Sequence, residues 1–238
     1  MKNYNSGIRL LLFSFLVVLG GATIFWGCDS PPKIKQPKLP KLGIQQIVEK
    51  EVNGQKVSDT VFSQIPDFKF TDQDNQQVTN QTFAGKIYIS DFFFTTCPTI
   101  CPKMRTQMLR VYEKFKDSSQ VMILSHTIDP KHDSVQVLKE YAGLLGVNTN
   151  KWHFVTGQKD SIYQIARKYL VAPIKEVKVS SIVNLVHSGA FVLVDENRHV
   201  RGIYDGTDEA QVNKLLEDIP VLLKEGQVTS NMPQQSKV

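Results

Sequence analysis

KIYISDFFFTTCPTICP, residues 86–102, decides the fold. Lys86 to Phe94 is a nearly continuous apolar run, the pattern of a strand covered on both faces. It leads directly into two cysteines, Cys97 and Cys101, separated by Pro-Thr-Ile. Beyond them Met104, Met108, Val111, Tyr112 and Phe115 recur at helical spacing. That periodicity predicts a helix over 98–117, opening on Pro98, with Cys97 at its N-terminus.

Working outward, VMILSHTI (121–128) reads as a second buried strand and SVQVLKEYAGLL (134–145) as a helix closed by Gly146. WHFVTG (152–157) is a short strand and DSIYQIARKYL (160–170) a helix. GAFVLVD (189–195) and HVRGIYDG (199–206) flank the polar turn Glu196–Arg198 and predict an antiparallel hairpin. A helix from Asp208 to about Lys224 closes the domain. Asp72, Asp74 and Asn75 lack the glycine and distal glutamate of a calcium loop, so they read as a hairpin turn. This order predicts an α/β, thioredoxin-like fold: a central mixed sheet flanked by helices, with an inserted loop or hairpin before the strand that follows His187.

The net charge of +5 is not a property of that domain. Residues 1–27 carry +2 and residues 28–42 carry +3, while 43–238 hold 22 basic and 22 acidic residues. A neutral domain gives no electrostatic support to nucleic-acid binding. Lys2 and Arg9 precede an uncharged apolar run of 18 residues, Leu10–Gly27. As a helix it would span roughly 27 Å, near the minimum for a bilayer, with its positive flank held in the cytoplasm. Cys28 follows Gly27 in a layout resembling a bacterial lipoprotein signal, although Phe25 and Trp26 are unusual there. An uncleaved transmembrane anchor is the alternative. Either places a membrane-tethered domain outside the cytoplasm, in the cell envelope. PPKIKQPKLPKL (31–42) reads as an extended, solvated spacer. The expected organisation is therefore an anchor over 1–28, a linker over 29–58, the folded domain over 59–225 and a disordered tail over 226–238.

With Cys28 assigned to the anchor, Cys97 and Cys101 carry the chemistry. A thiol at a helix N-terminus is biased toward thiolate. Two cysteines four apart can close a disulfide or offer two soft ligands to one metal ion. A purely structural disulfide enclosing three residues would constrain little chain. Two thiolates suit Cu(I), and a third ligand would come from a histidine: His187 in the loop before the 189–195 strand, or His126 and His132 around the loop after the second strand. His153 and His199 fall within strands and read as structural or exposed. Zinc in a Cys2His site also satisfies the donor chemistry.

From about Ile65 to Ile219 these pieces together resemble the SCO/SenC family, copper-binding thioredoxin-like proteins of cytochrome c oxidase assembly. The segments that carry the resemblance are IPDFKFTDQDNQQVT (65–79), GKIYISDFFFTTCPTICPKM (85–104), SHTIDPKHDS (125–134) and VHSGAFVLVDENRHVRGIYDG (186–206). The resemblance implies one copper, Cu(I) and/or Cu(II), held by Cys97, Cys101 and His187. It implies Asp129 as an acidic residue supporting the site, or capping its turn, and Val186 stands where the family often has Asp. It further implies a copper chaperone delivering to the copper-bearing subunit of cytochrome c oxidase or another exported cuproprotein. An exported thiol–disulfide oxidoreductase using the same cysteine pair is the alternative, and a peroxiredoxin-like peroxidase would need a different thiol motif.

Overall fold

The computed structural model describes residues 38–52, 54–170 and 189–230. A seven-stranded mixed sheet has the order β4-β3-β7-β6-β5-β8-β9. Among its interior strands is β5 (Ile87–Phe93), buried at every position. It pairs parallel with β6 (Val121–Thr127), which pairs parallel with β7 (Trp152–Thr156). On the other side β8 (Ala190–Val194) runs antiparallel to β5, and β9 (Val200–Asp205) antiparallel to β8. The far edge is the hairpin of β3 (Lys69–Asp72) and β4 (Gln77–Thr79), whose turn contains Asp74 and Asn75.

Each central strand feeds two cores because successive side chains alternate faces. Ile87, Ile89 and Phe93 pack with Met104, Met108 and Val111 of α1 (Cys101–Phe115), Leu138 and Ala142 of α2 (Val135–Leu145), and Val212, Leu215 and Ile219 of α4 (Glu209–Ser230). Tyr88 and Phe92 face the opposite core, against Ile162, Ile165 and Ala166 of α3 (Lys159–Lys168). Each such side chain contributes about 1.5–3 kcal/mol when fully buried. Local signals set the ends of α2. Ser134 Oγ accepts from Val137 N–H at the start of α2, and Gly146 closes it at φ 65°. The mixed sheet with helices on both faces is the expected α/β architecture.

Three elements differ from their sequence expectation. Gln45–Val52 (β1) and Gln55–Phe62 (β2), which begin within the expected linker, form a separate antiparallel hairpin. The signal was present: Asn53-Gly54 between valine-bearing runs is a strong two-residue turn motif, and Gly54 adopts φ 78°. The final helix continues to Ser230, past the expected end near Lys224.

The third difference bears on the site, because α1 begins at Cys101 rather than Pro98. A helix opening at Pro98 would place Pro102 where a backbone N–H must donate, at a cost of about 3 kcal/mol. Opening at Cys101 puts Pro102 in the first turn, where no donor is required. Cys97 therefore lies in the turn before the helix, and Cys101 occupies the helix start. The anchor residues 1–28, including Cys28, and the loop before β8 lie outside the described residues. Among the described residues no helix is long and apolar enough to cross a membrane.

Candidate metal centre

Cys97 and Cys101 meet at the C-terminal end of β5, where the strand hands over to α1. Both are free thiols, buried to 7% and 8% exposure. The turn is closed by Cys97 N–H donating to Phe94 O (3.2 Å), and the helix by Met104 N–H donating to Ile100 O (3.0 Å). Cys97 Sγ lies 3.7 Å from Thr99 Oγ1.

This arrangement makes the thiols unequal. Burial alone would raise Cys97, but hydrogen bonds from the Cys101 thiol, the backbone of Cys101 and Thr99, and the Thr99 hydroxyl outweigh it and bring Cys97 down to about 7. Burial, then donation to Cys97, push Cys101 up to about 12. Near neutral pH the site thus presents one half-ionised sulfur and one protonated sulfur. Two soft donors so close match a thiophilic metal better than a hard cation.

The sequence candidates separate clearly. His126 lies on β6 but faces the core opposite the cysteines, stacked on Phe92 at 4.9 Å between ring centroids. Alternation along the strand removes it as a ligand on the cysteine side, so of the sequence candidates His126 is set aside. His132 is exposed in the loop after β6. His153 Nδ1 lies 3.0 Å from Asp72 Oδ2, and His199 is buried beside Asp195, both within the fold as anticipated. His187 lies outside the described residues. The chain resumes at Gly189 (φ 72°), where an added Cβ would lie 4.0 Å from Met104 Sδ, one helical turn from Cys101. Among the described residues no group of three or more His, Cys, Asp or Glu side chains is placed to hold a metal ion.

Asp129 contributes mainly through its backbone: its carbonyl accepts from His132 N–H (3.1 Å) and Asp133 N–H (2.9 Å). The acidic side chain of this segment that reaches the cysteine turn is Asp133, four residues on. It is fully buried and accepts from Thr95 N–H (3.1 Å), Thr95 Oγ1 (2.5 Å) and Thr127 Oγ1 (2.5 Å). A second acid unmarked in the sequence reading is Asp91, inside the apolar run. It borders a small cavity of about 10 Å³ shared with Cys101, Met104, Ser125 and Tyr141. Ser125 Oγ donates to Asp91, and Trp152 Nε1 donates to Ser125 Oγ at 2.8 Å. An acid in a strand that otherwise reads as wholly apolar was the available signal.

Burial pushes the Asp91 carboxyl up to about 7, partly offset by the Ser125 hydrogen bond. The folded chain therefore holds a proton at Asp91 that the unfolded chain releases near pH 4. The stability that Asp91 contributes is lost as pH rises from about 4 to about 7, by a few kcal/mol. Asp91→Asn is expected to be more stable than wild type at pH 8, with that advantage gone at pH 4.5. Urea denaturation at the two pH values measures the difference.

Comparison with known proteins identifies the family of this fold. The family model described as SCO1/SenC matches residues 58–224. The SCO1 protein homolog of Bacillus subtilis (strain 168) is 30% identical over 168 residues, covering 70% of this chain and 86% of that protein. A putative copper-binding protein of Stutzerimonas stutzeri is 27% identical over 145 residues, covering 58% and 67% respectively. The solved structure of BsSco, described as a Sco family cytochrome c oxidase assembly protein with a disulfide switch, superposes with a TM-score of 0.56 at 28% identity. It covers 67% of this chain and 92% of that one. With the family match spanning the mixed sheet, its covering helices and the paired cysteines at the end of β5, the chain belongs to the SCO1/SenC family.

Proposed function

We propose that this protein is a membrane-tethered copper chaperone. It binds one copper ion through Cys97, Cys101 and His187 and passes it to a copper site of cytochrome c oxidase or another exported cuproprotein. The observation that carries the reading is the pair of buried free thiols at the β5–α1 turn, one held near neutrality and the other pushed up by burial. The family and its copper-binding and oxidase-assembly relatives support the same assignment. The apolar run Leu10–Gly27 and Cys28 would supply the anchor, by lipidation or as a membrane span, with the Pro/Lys-rich stretch as spacer.

Copper is the cargo. The Cys97 thiolate provides the first soft donor, and Cys101 joins on losing its proton. A neutral imidazole from His187 would complete a three-donor set. Because His187 would arrive on a separate segment, an acceptor's ligands could displace it first and take the ion by exchange. The reduced full chain, titrated with Cu(I) against a chromogenic chelator, should take up one equivalent. His187→Ala should weaken binding by roughly tenfold or more, a loss comparable to those produced by disturbing metal-site residues. If wild type takes up no copper, or the variant binds as tightly, this assignment fails.

The unequal thiols also favour a second reading, thiol–disulfide exchange. The Cys97 thiolate would attack a partner disulfide and release one partner thiolate. Cys101, after deprotonation, would attack Cys97 Sγ in the mixed disulfide and release the second. The pair loses two electrons and the partner gains them. This reading needs both cysteines and is indifferent to His187, so the same variant separates the two.

A further inference from the structure

We infer that Asp133 is the positioning residue of the cysteine site: its carboxylate holds the β5–α1 turn in the conformation that brings Cys97 and Cys101 together. This rests on the reading of that pair as the working site, whether for copper or for thiol exchange. Asp133 is fully buried, and its side chain accepts from Thr95 and Thr127. Two of its three hydrogen bonds go to Thr95, two residues before Cys97, and the third to Thr127 at the end of β6. The carboxylate thus ties the turn carrying Cys97 to the neighbouring parallel strand. Asp133 is itself fixed, since its N–H donates to Asp129 O at 2.9 Å.

Interior packing holds Cys97 itself but leaves its neighbours in the turn without support. Thr96, Pro98 and Thr99 are exposed, and Cys97 N–H makes one main-chain hydrogen bond, to Phe94 O. A buried carboxylate accepting several hydrogen bonds is costly to desolvate and strongly directional once satisfied. Such a group suits a role in orientation more than one in bulk stability. By contrast, the half-buried Asp129 closes its own turn through the main chain.

The test uses the reduced full chain and three variants. Asp133→Ala removes all three acceptors, and Asp133→Asn keeps one acceptor oxygen. Ile162→Ala, on the opposite core, costs about 2–5 kcal/mol of stability without touching the turn. The first readout is equilibrium with dithiothreitol: the two thiols lose two electrons and two protons to oxidised dithiothreitol, forming the Cys97–Cys101 disulfide and reduced dithiothreitol. The second is Cu(I) affinity by chelator competition.

Asp133→Ala should lower the constant for disulfide formation about tenfold and Cu(I) affinity about 10–100-fold, the range for residues that orient metal ligands. Asp133→Asn should fall between it and wild type, and serves alone if the alanine variant does not fold. Ile162→Ala should match wild type in both readouts despite its lower stability. The inference is overturned if the Asp133 variants keep the wild-type disulfide constant, or if Ile162→Ala shifts it equally. A wild type that binds no copper would sink the chaperone reading, while the dithiothreitol equilibrium would still decide the role of Asp133.

Discussion

His126→Leu is expected to reverse the pH dependence of this protein's stability in acid. His126 is fully buried among Phe68, Phe70, Phe92 and Tyr169. Its Nδ1 lies 3.3 Å from Ser90 Oγ, and its Nε2 has no hydrogen-bond partner. Burial depresses it to about 3, against 6.5 for the free side chain. Between those values the unfolded chain takes up a proton that the folded chain refuses. The His126 contribution to stability is therefore intact above about pH 6.5 and is lost progressively as pH falls toward 3. At 1.36 kcal/mol per unit, the loss by pH 4 is about 3 kcal/mol.

Leucine is similar in volume and cannot titrate. It forfeits the Ser90 contact and the ring stacking, which should cost about 1–2 kcal/mol at pH 7. Wild type should be the more stable at pH 7 and the variant the more stable at pH 4. Urea unfolding followed by far-UV circular dichroism gives both values. Parallel curves that never cross would show that His126 is not what limits the acid range.

The second large effect is chemical selectivity between the two thiols. At pH 7 Cys97 is about half thiolate, whereas a thiol at about 12 is ionised to roughly one part in 10⁵. The more basic thiolate is intrinsically the stronger nucleophile, with a Brønsted coefficient of about 0.4–0.5, which recovers roughly 300-fold. The net expectation is that iodoacetamide alkylates Cys97 about 100-fold faster than Cys101. Peptide mass spectrometry over a time course reads both rates on one sample. Cys97→Ser should slow Cys101 no further, since Cys101 is held back first by burial. Equal rates at the two positions would remove the asymmetry on which both functional readings depend.

The sequence exposed the central strand, the order of strands and helices and the cysteine pair, because each is written in local periodicity or spacing. Ile87–Phe93 is apolar but for Ser90 and Asp91 since both its faces are covered, and no other part of the chain needs to be known to read that. The β1–β2 hairpin was equally legible in Asn53-Gly54 but was masked by the proline-rich stretch before it. The start of α1 was misplaced by three residues because Pro98 and Pro102 compete for the same structural role, and only the hydrogen-bond ladder chooses between them.

What local pattern could not supply is which groups meet across the sheet. His126 and Ser125 are adjacent in sequence, yet one lies in the aromatic core and the other bonds to Asp91 on the cysteine side. The family resemblance points to Asp129, yet the path of the loop gives the buried carboxylate to Asp133. The sequence by itself determined the pair of sulfurs, since their four-residue separation brings them together across one turn. Only the tertiary structure decided how they differ, because burial and the partners around each thiol are set by elements distant in the chain.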